Sequence, residues 1–324
     1  MLPSELAGFL ARAGLGMPLR VEALSGGVSS DIWRIELERG PICVKRALPR
    51  LRVSQVWEAP IVRNRYEREW LQTAGAIVPG AAPRVLAWDD DAGLFAMECV
   101  DAPVWKSLLR QGVADATFAA RVGSALVAIH AATARDARIA ARFPTDTIFH
   151  AIRLEPYLVA TASVHTDLRS RLSELECRTA ATHRALVHGD VSPKNILVRS
   201  GGPVFLDAEC AWWGDPAFDL AFCLNHMFLK SVWVPRTREG FLRCYDALSS
   251  TYLAGVTWEA PAELEERVAT LLPGLLLGRV DGKSPVEYLD EAGRSLVRRA
   301  ARALLATPVR TLAELKAAWQ RSST

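Results

Sequence analysis

Three polar side chains in the middle of the chain have the types and the spacing that phosphoryl transfer requires. Asp190 and Asn195 stand five positions apart, and Asp207 follows a short apolar segment. A carboxylate can orient an attacking hydroxyl and accept its proton, while amide and carboxylate oxygens can bind a metal ion that bridges nucleotide phosphates. The Gly-Gly-Pro sequence at 201–203 predicts a tight turn between two apolar strands. The resulting hairpin would bring Asn195 and Asp207 to the same place.

The residues around these side chains follow the pattern of a kinase catalytic loop. His188, Asp190 and Asn195 match the His-x-Asp-x-x-x-x-Asn sequence of protein kinases, with Gly189 where those enzymes usually carry arginine. Three further motifs follow in order: Leu206-Asp207-Ala208-Glu209, Gly214-Asp215-Pro216 and Asp219-Leu220-Ala221. Together these motifs resemble the aminoglycoside phosphotransferase and choline kinase superfamily, whose members are small-molecule kinases with a protein-kinase-like fold.

The resemblance covers nearly the whole chain, from about Leu24 to the last helices. The segments 149–158 and 279–289 also resemble bacterial members whose acceptor is unassigned. The implied fold class is α+β and bilobal. Residues 1–98 would form an N-terminal nucleotide-binding lobe built on an antiparallel sheet. Residues 99–324 would form a larger, mostly helical lobe that carries the catalytic loop and the acceptor pocket.

Apolar patterning predicts the elements of both lobes. A short amphipathic helix begins at Ser4, an irregular insertion occupies 49–60, and a helix follows at 61–76. Alternation and apolar content predict strands at 19–24, 32–37, 42–47, 85–88 and 94–99. Helical spacing predicts helices at 118–132, 168–175, 220–232, 241–252, 264–277 and 295–305.

Several residues of the N-terminal lobe are candidates for nucleotide binding. A hairpin tip contains Gly26, Gly27, Ser29 and Ser30, whose backbone and hydroxyl donors can bind phosphate oxygens. In the resembled family the next strand carries the lysine that binds the early phosphates, and Lys45 occupies that place. Its neighbour Arg46 is an alternative, as is an edge-strand lysine with no functional role.

Two further features complete the nucleotide site that the resemblance implies. An acidic residue on the helix at 61–76 should hold Lys45, and Glu67 fits the family pattern, with Glu69 as the alternative. The segment Met97-Glu98-Cys99 resembles the hinge of kinases, whose backbone hydrogen-bonds the edge of adenine. The implied cofactors are therefore ATP and Mg²⁺.

The same resemblance implies roles around the catalytic loop. Asp190 would be the catalytic carboxylate, Asn195 and Asp207 would bind Mg²⁺, and Lys45 with Glu67 would position phosphate. Lys194 could reach the transferred phosphate, Ser192 stands where protein kinases often place lysine, and Glu209 could lie beside the metal. We expect Asp219 to be a buried acid that braces the catalytic loop.

The acceptor pocket is predicted between the segments 149–157 and 281–288. Both segments place charged residues in otherwise apolar stretches: Arg153, Glu155, Asp281, Lys283 and Glu287. Pro156, Gly282 and Pro285 should interrupt helical geometry beside them, which would put the charges at helix ends near the cleft. The alternative is a cluster of salt bridges between helices. A sugar, an amino alcohol or an aminoglycoside-like molecule would be the acceptor.

Composition excludes several other classes of protein. The 324 residues are 50% apolar and 23% charged, and 39 basic residues against 36 acidic ones give a net charge of +3. This even balance does not favour nucleic-acid binding. The apolar run Leu271–Leu277 is far shorter than the roughly 20 residues of a membrane helix. Six cysteines without Cys-x-x-Cys pairs favour a reducing, cytoplasmic location. Nothing in the sequence indicates an oligomeric state.

Two other functions remain open at this stage. A nucleotide-binding scaffold or sensor without catalysis would be expected to lack one of Asp190, Asn195, Asp207 and Lys45, and all four are present. A protein kinase would need an activation segment and a platform for a peptide. The stretch between Glu209 and Asp215 is short and contains no Ala-Pro-Glu sequence, which disfavours a peptide substrate.

Overall fold

The computed structural model describes residues 4–24, 30–48 and 60–322, and its N-terminal part is built on one antiparallel sheet. The strands are β1 (Arg20–Leu24), β2 (Ser30–Leu37), β3 (Gly40–Ala47), β4 (Val85–Asp89) and β5 (Leu94–Glu98). They are hydrogen-bonded in the order β1-β2-β3-β5-β4. All five strands confirm the prediction from apolar patterning, within two residues at each end.

Two helices cover the sheet. Helix α1 (Ser4–Arg12) buries its apolar face, including Phe9 and Leu10, in a cluster with Trp33 and Ile35 of β2. Helix α2 (Arg63–Ile77) confirms the helix predicted at 61–76 and buries an unusually polar face. The predicted insertion at 49–60 lies outside the described residues, apart from its last position.

Two small antiparallel pairs carry the central motifs. Strand β6 (Ala185–Val187) pairs with β9 (Trp212–Gly214), and β7 (Ile196–Arg199) pairs with β8 (Gly202–Phe205). In the second pair Ile196 lies opposite Phe205. The hairpin predicted from the Gly-Gly-Pro turn is therefore confirmed.

The remainder is helical. The α-helices are α3 (Trp105–Arg110), α4 (Ala116–Thr133), α5 (Ala137–Arg142), α6 (Asp146–Phe149), α7 (Ala160–Val164), α8 (Arg169–Ala181), α9 (Pro216–Trp233), α10 (Arg238–Ala254), α11 (Pro261–Asp281), α12 (Glu291–Ala306) and α13 (Leu312–Ser322). A sheet followed by a helical remainder confirms the α+β fold class. The division into lobes at residue 98 stays a prediction.

Helix α9 is the central helix of this part and explains the Gly-Asp-Pro motif. Asp215 caps its N-terminus by accepting a hydrogen bond from the backbone N–H of Ala217 at 3.0 Å. Pro216 occupies the first helical turn, where its missing N–H costs nothing. Arg267 of α11 binds the same carboxylate at 3.1 Å. The motif thus fixes where α9 starts and joins it to α11.

One helical segment differs from the expectation. Residues His150–Val159 form a π-helix that contains Pro156, so Arg153 and Glu155 lie inside a helix and not at its end. Proline cannot donate the hydrogen bond of a regular α-helix, and a π-helical turn tolerates that gap. The Pro156 carbonyl accepts a hydrogen bond from the backbone N–H of Lys283 at 3.0 Å.

Within the described residues, one helix has the length and composition of a membrane span. Helix α4 has a mean hydropathy of 1.2 over 18 residues, and 56% of that window is buried inside the protein. Core helices of globular proteins show the same properties. Its buried His130 contacts the Tyr252 hydroxyl of α10 at 2.7 Å, so α4 packs as a core helix here.

Candidate active site

The catalytic loop is held from beneath by a buried acid. Asp219 of α9 accepts hydrogen bonds from the backbone N–H groups of His188 at 2.6 Å and Gly189 at 2.8 Å. The prediction that Asp219 braces this loop is confirmed. Gly189 has a φ of +79°, and a Cβ there would lie 2.6 Å from the Cys210 carbonyl oxygen. Glycine therefore replaces the arginine of protein kinases because the backbone approaches too closely for a side chain.

His188 connects this loop to the β7–β8 hairpin. Its Nδ1 accepts a hydrogen bond from the Asp190 backbone N–H at 3.1 Å, so Nε2 carries the proton and donates to the Leu206 carbonyl at 3.0 Å. Burial lowers the pKa of His188 below its ordinary value. The ring is therefore a neutral structural link, which aligns Asp190 with the strand that ends before Asp207.

Asp190 lies between two cationic groups. Arg153 contacts its carboxylate at 2.8 Å and Lys194 at 3.3 Å. Burial alone would raise the pKa of Asp190, but Lys194 and Arg153 outweigh it and hold the pKa below the ordinary value. Arg153 is fixed in turn, because its Nε donates to the Gly189 carbonyl at 2.5 Å. Asp190 is therefore ionised and oriented before any ligand binds.

The β7–β8 hairpin brings Asn195 and Asp207 to the same side of the cleft. The Leu206 backbone N–H donates to the Asn195 carbonyl at 2.8 Å, and the Asn195 side chain donates to the Asp190 carbonyl at 3.2 Å. Asp207 has a φ of +64°. Such a conformation is uncommon for residues other than glycine and concentrates at functional sites. The turn aims the Asp207 carboxylate into the cleft.

Lys45 joins the sheet to this hairpin. It is buried, lies 2.7 Å from a carboxylate oxygen of Glu67 and also contacts Asp207. Burial alone would lower the pKa of Lys45, but the two carboxylates raise it above its ordinary value. Burial raises the pKa of Glu67 to about 7, although Lys45 acts in the opposite direction. A lysine, a helix acid and the acid after β8 thus form one buried network.

The alternatives for these roles have other partners. Arg46 binds Glu5 at 2.6 Å and Asp31 at 2.8 Å, on the opposite face of β3. Glu69 binds Arg65 at 2.8 Å and Arg142. Neither lies among the residues that line the cleft. Lys45 and Glu67 are therefore the pair that lines the cleft, and their role toward a nucleotide stays a prediction.

Glu209 has a structural partner as well as a place in the cleft. Its carboxylate accepts a hydrogen bond from Nε of the buried Arg63 at 3.0 Å. Arg63 lies at the start of α2 and donates also to the Leu48 carbonyl at 2.8 Å. The Arg63–Glu209 pair connects the segment after Asp207 to helix α2, which carries Glu67. The pair therefore helps to fix the position of Asp207 relative to Glu67.

A cavity of about 750 Å³ is lined by eight of these side chains: Lys45, Glu67, Arg153, Asp190, Lys194, Asn195, Asp207 and Glu209. Its nucleotide end is lined by apolar and hinge residues of the sheet together with the hairpin: Leu24, Ile32, Cys43, Met97, Glu98, Cys99, Val100, Leu197 and Leu206. Ser30 lines the cavity, whereas Gly26, Gly27 and Ser29 lie outside the described residues. The predicted hinge Met97-Glu98-Cys99 therefore borders the same space as Lys45, Asp190, Asn195 and Asp207.

The predicted acceptor residues divide into two groups. Arg153 and Glu287 line the cavity, whereas Glu155, Asp281 and Lys283 do not. Lys283 binds Glu155 at 2.6 Å, and Asp281 binds Arg298 at 2.7 Å and His165 at 2.8 Å. These three side chains form ion pairs within the protein and do not line the cavity. Their placement matches the alternative prediction, a cluster of salt bridges between helices.

Sequence reasoning missed a set of residues at the other end of the cavity. This end is lined by Glu287, which the sequence predicted, and by residues that it did not single out: Lys106, Tyr157, Phe222, His226, Lys230, Arg279, Ser284 and Tyr288. A signal was available, because Phe222, His226 and Lys230 are spaced four apart after Asp219. Residues at this spacing share one face of a helix.

The donor atoms fit a magnesium ion. Asp207 offers a carboxylate, and the side-chain oxygen of Asn195 accepts no hydrogen bond from the described residues. Among the described residues, no group of three or more His, Cys, Asp or Glu side chains could hold a metal ion by itself. Mg²⁺ prefers oxygen ligands and usually takes only one or two from the protein, with phosphates and water supplying the rest.

Comparisons with known proteins agree with this geometry. The family model "Phosphotransferase enzyme family" matches residues 20–264. A methylthioribose kinase of Pectobacterium atrosepticum is 25% identical over 66% of this chain and 61% of its own length. A methylthioribose kinase of Erwinia tasmaniensis is 25% identical over 60% of this chain and 55% of its own. The chain thus spans a little over half the length of the curated relatives it matches.

Solved structures show the same fold at low identity. A choline/ethanolamine kinase family protein of Mesorhizobium loti has a TM-score of 0.58 and 17% identity, with 98% of this chain and 97% of the other covered. An amicoumacin kinase in complex with AMP-PNP and Ca²⁺ has a TM-score of 0.55 and 16% identity, with 94% and 95% covered. These neighbours share the protein-kinase-like fold, and the family match covers more than half of the chain. The chain belongs to the phosphotransferase enzyme family that includes the aminoglycoside phosphotransferases.

Proposed function

We propose that this protein transfers the γ-phosphoryl group of ATP to a hydroxyl group of a small molecule. One observation supports this most strongly: Asp190, Asn195, Asp207 and the Lys45–Glu67 pair border one cavity, in the arrangement that phosphoryl transfer uses. Two proteins similar to this chain are named as a methylthioribose kinase and an amicoumacin kinase, and both names describe the same class of reaction.

The catalytic step follows from the position and charge of Asp190. The acceptor hydroxyl would donate a hydrogen bond to the Asp190 carboxylate, which orients its oxygen toward the γ-phosphorus of ATP. A new oxygen–phosphorus bond forms as the bond between the γ-phosphorus and the β-γ bridging oxygen breaks, and ADP leaves. The lowered pKa of Asp190 makes it a weak base, so it accepts the proton only as the new bond forms.

The remaining residues bind and orient the nucleotide. Asn195 and Asp207 would hold Mg²⁺, which neutralises charge on the phosphates when it is bound. Lys45 would bind phosphate oxygens, and Glu67 holds it in place through the 2.7 Å contact. The adenine would lie between the sheet and the β7–β8 hairpin, with its edge toward the hinge after β5. The predicted roles of Gly26, Gly27, Ser29 and Ser30 at the phosphates remain part of this proposal.

A small molecule fits this site better than a peptide. After Glu209 the chain enters β9 at Trp212, and α9 starts at Pro216. β9 is paired with β6, so the described chain provides no extended activation segment.

All six cysteines are free thiols, which supports the proposed cytoplasmic location.

Measuring ADP release with a panel of hydroxylated metabolites tests the proposal. The protein with ATP and Mg²⁺ should release ADP faster when a true acceptor is present, and the Asp190→Asn variant serves as the blank. Equal ADP release by both proteins with every acceptor, or an absence of ATP binding in the presence of Mg²⁺, would contradict the proposed function.

A further inference from the structure

The wall of the cavity opposite the sheet is one face of helix α9. Phe222, His226 and Lys230 occur at intervals of four residues, and all three line the cavity. Phe222 lies under the Arg153 guanidinium, 5.9 Å from its centre, and Arg153 binds Asp190. Eight residues of α-helix rise about 12 Å, so Lys230 lies well beyond the catalytic carboxylate, at the distal end of the cavity.

Lys230 is a buried amine without an acidic partner. Only 1% of the surface of Lys230 is exposed. Within the described chain, the Lys230 Nζ makes no hydrogen bond and no ion pair. The Nζ instead lies 3.6 Å from the centre of the Tyr288 ring and 4.3 Å from that of Trp233. Aromatic faces attract a cation but provide less stabilisation than a carboxylate at this depth.

A second cation, which is half-buried, lines the same end of the cavity. Arg279 donates to the Tyr157 hydroxyl at 3.0 Å and to Ser284, and its Nε has no acceptor within the described residues. No carboxylate of that part of the chain forms an ion pair with it. Glu287, an acid of the same cavity wall, is already bound by Lys106.

His226 adds a third group without a partner. Both of its ring nitrogens are buried and make no hydrogen bond to the described residues. It lies on α9 between Phe222 and Lys230, facing the cavity. Buried polar groups are nearly always hydrogen-bonded, and unpaired buried cations are strongly unfavourable. Three such groups around one space indicate that a ligand supplies the missing acceptors.

We propose that the phosphate acceptor is a hydroxylated small molecule that carries an anionic group, a carboxylate or a phosphate, bound by Lys230 and Arg279 with His226 beside them. The inference rests on the proposed function and specifies its substrate class. With the anion at the distal end, a hydroxyl about two helical turns away would reach Asp190. A polycationic acceptor would find no free carboxylate there and would be repelled by the Arg279 guanidinium.

Protonation of Lys230 should be coupled to binding. Burial, together with the charges of Lys106 and Arg279, lowers the pKa of Lys230 to about 6, and the charge of Glu287 acts in the opposite direction. The other groups that face Lys230 are His226 on its own helix and the Tyr288 hydroxyl. An anion near Nζ would favour the ammonium form, so binding should take up a proton near neutral pH and weaken as pH rises.

Matched sugars provide the test, because they share a ring and differ in charge. Glucuronate, glucose 6-phosphate, glucose and glucosamine would each be added to the full-length protein with AMP-PNP and Mg²⁺, and the melting temperature measured. We expect at least one of the two anionic sugars to raise it more than glucose does, and glucosamine not to do so. The rise should be lost in Lys230→Met, partly kept in Lys230→Arg and unchanged in the surface control Lys316→Met.

Three results would overturn the inference. One is that neither anionic sugar raises the melting temperature of the wild type more than glucose. Another is that glucosamine raises it most, and a third is that Lys230→Met keeps the full rise. Affinity for ATP with Mg²⁺, measured separately, should stay within about twofold of wild type in Lys230→Met. A loss of ATP affinity there would assign Lys230 to the nucleotide and also overturn the inference, whereas a wild type that does not bind ATP contradicts the proposed function instead.

Discussion

The two ends of the cavity differ in how their charges are compensated. At the nucleotide end, Lys45 has Glu67 and Asp207 as partners, and Asp190 has Arg153. At the distal end, Lys230 and Arg279 have no acidic partner within the described residues. Groups that perform chemistry must be oriented before the reaction, and internal ion pairs provide that orientation. Lys230 and Arg279 at the distal end form no ion pair within the described residues, so they are available to bind an anionic ligand.

The largest expected effect comes from breaking the compensated end at Asp190. The Asp190→Asn variant should lose about 10²–10⁴-fold of turnover, because it cannot accept the proton of the hydroxyl. Arg153 keeps its hydrogen bonds to the Gly189 and Ile152 carbonyls, so folding and ATP binding should persist. Steady-state ADP release and ATP titration measure the two properties, with Asp246→Asn on the surface as a matched control. Turnover at the wild-type rate would remove Asp190 from the mechanism.

The second effect concerns the backbone that supports Asp190. In Gly189→Ala the new Cβ would lie 2.6 Å from the Cys210 carbonyl oxygen, at a φ of +79°. We expect a loss of about 1–3 kcal/mol in the free energy of unfolding and a loss of turnover, because the loop must move. Chemical denaturation checks this, and Gly201→Ala, whose Cβ would meet no atom within 4 Å, is the control. Equal stability of the two variants would contradict the close approach at Gly189.

The third effect concerns the stability of the folded protein, which the buried Lys230 at the distal end should lower. The folded state disfavours a charged Lys230, whose pKa there is about 6. Its destabilising contribution is therefore complete below that pH and declines as pH rises toward the unfolded value of about 10.4. Lys230→Met should melt a few degrees higher than wild type near pH 6, and the difference should narrow by pH 9. A variant that melts lower than wild type at pH 6 would show that the lysine stabilises the fold without ligand.

The smallest effect is expected outside the cavity. Lys283 pairs with Glu155 at 2.6 Å, and its side chain is 39% exposed. Partly exposed pairs contribute about 0–1 kcal/mol, so Lys283→Met should change stability little and leave the acceptor KM at the wild-type value. An increased KM at unchanged melting temperature would return Lys283 to the acceptor site, as the sequence predicted, and would weaken the contrast between the two ends.

Much of the compensated end could be predicted because its residues lie in short motifs. The spacing of Asp190 and Asn195, the turn before Asp207 and the place of Asp219 all follow from local sequence. The partner of Lys45 was predicted as Glu67 with Glu69 open, and only the packing of α2 decides between neighbours two positions apart. Those predictions are local, and the fold preserves them.

The distal end could not be predicted for a physical reason. Lys230 is near the C-terminus of an apolar helix, where a lysine ordinarily extends its amine to solvent. Its burial depends on Trp233 and Tyr288, and Tyr288 is 58 positions away in the chain. Arg153 likewise contacts Asp190 from a segment 37 positions earlier in the chain, within the π-helix at residues 150–159. Contacts between distant segments, not local spacing, determine which charges face the cavity.

Calorimetric titration of ATP, with and without Mg²⁺, tests the contrast between the two ends most directly. Wild type, Asp207→Asn and Lys230→Met would be compared under the same conditions. We predict that Mg²⁺ strengthens ATP binding in wild type and in Lys230→Met, and that Asp207→Asn loses this dependence because it lacks the charged metal ligand. Equal Mg²⁺-dependent affinity in Asp207→Asn and wild type, or its loss in Lys230→Met, would contradict the assignment of the nucleotide to the compensated end.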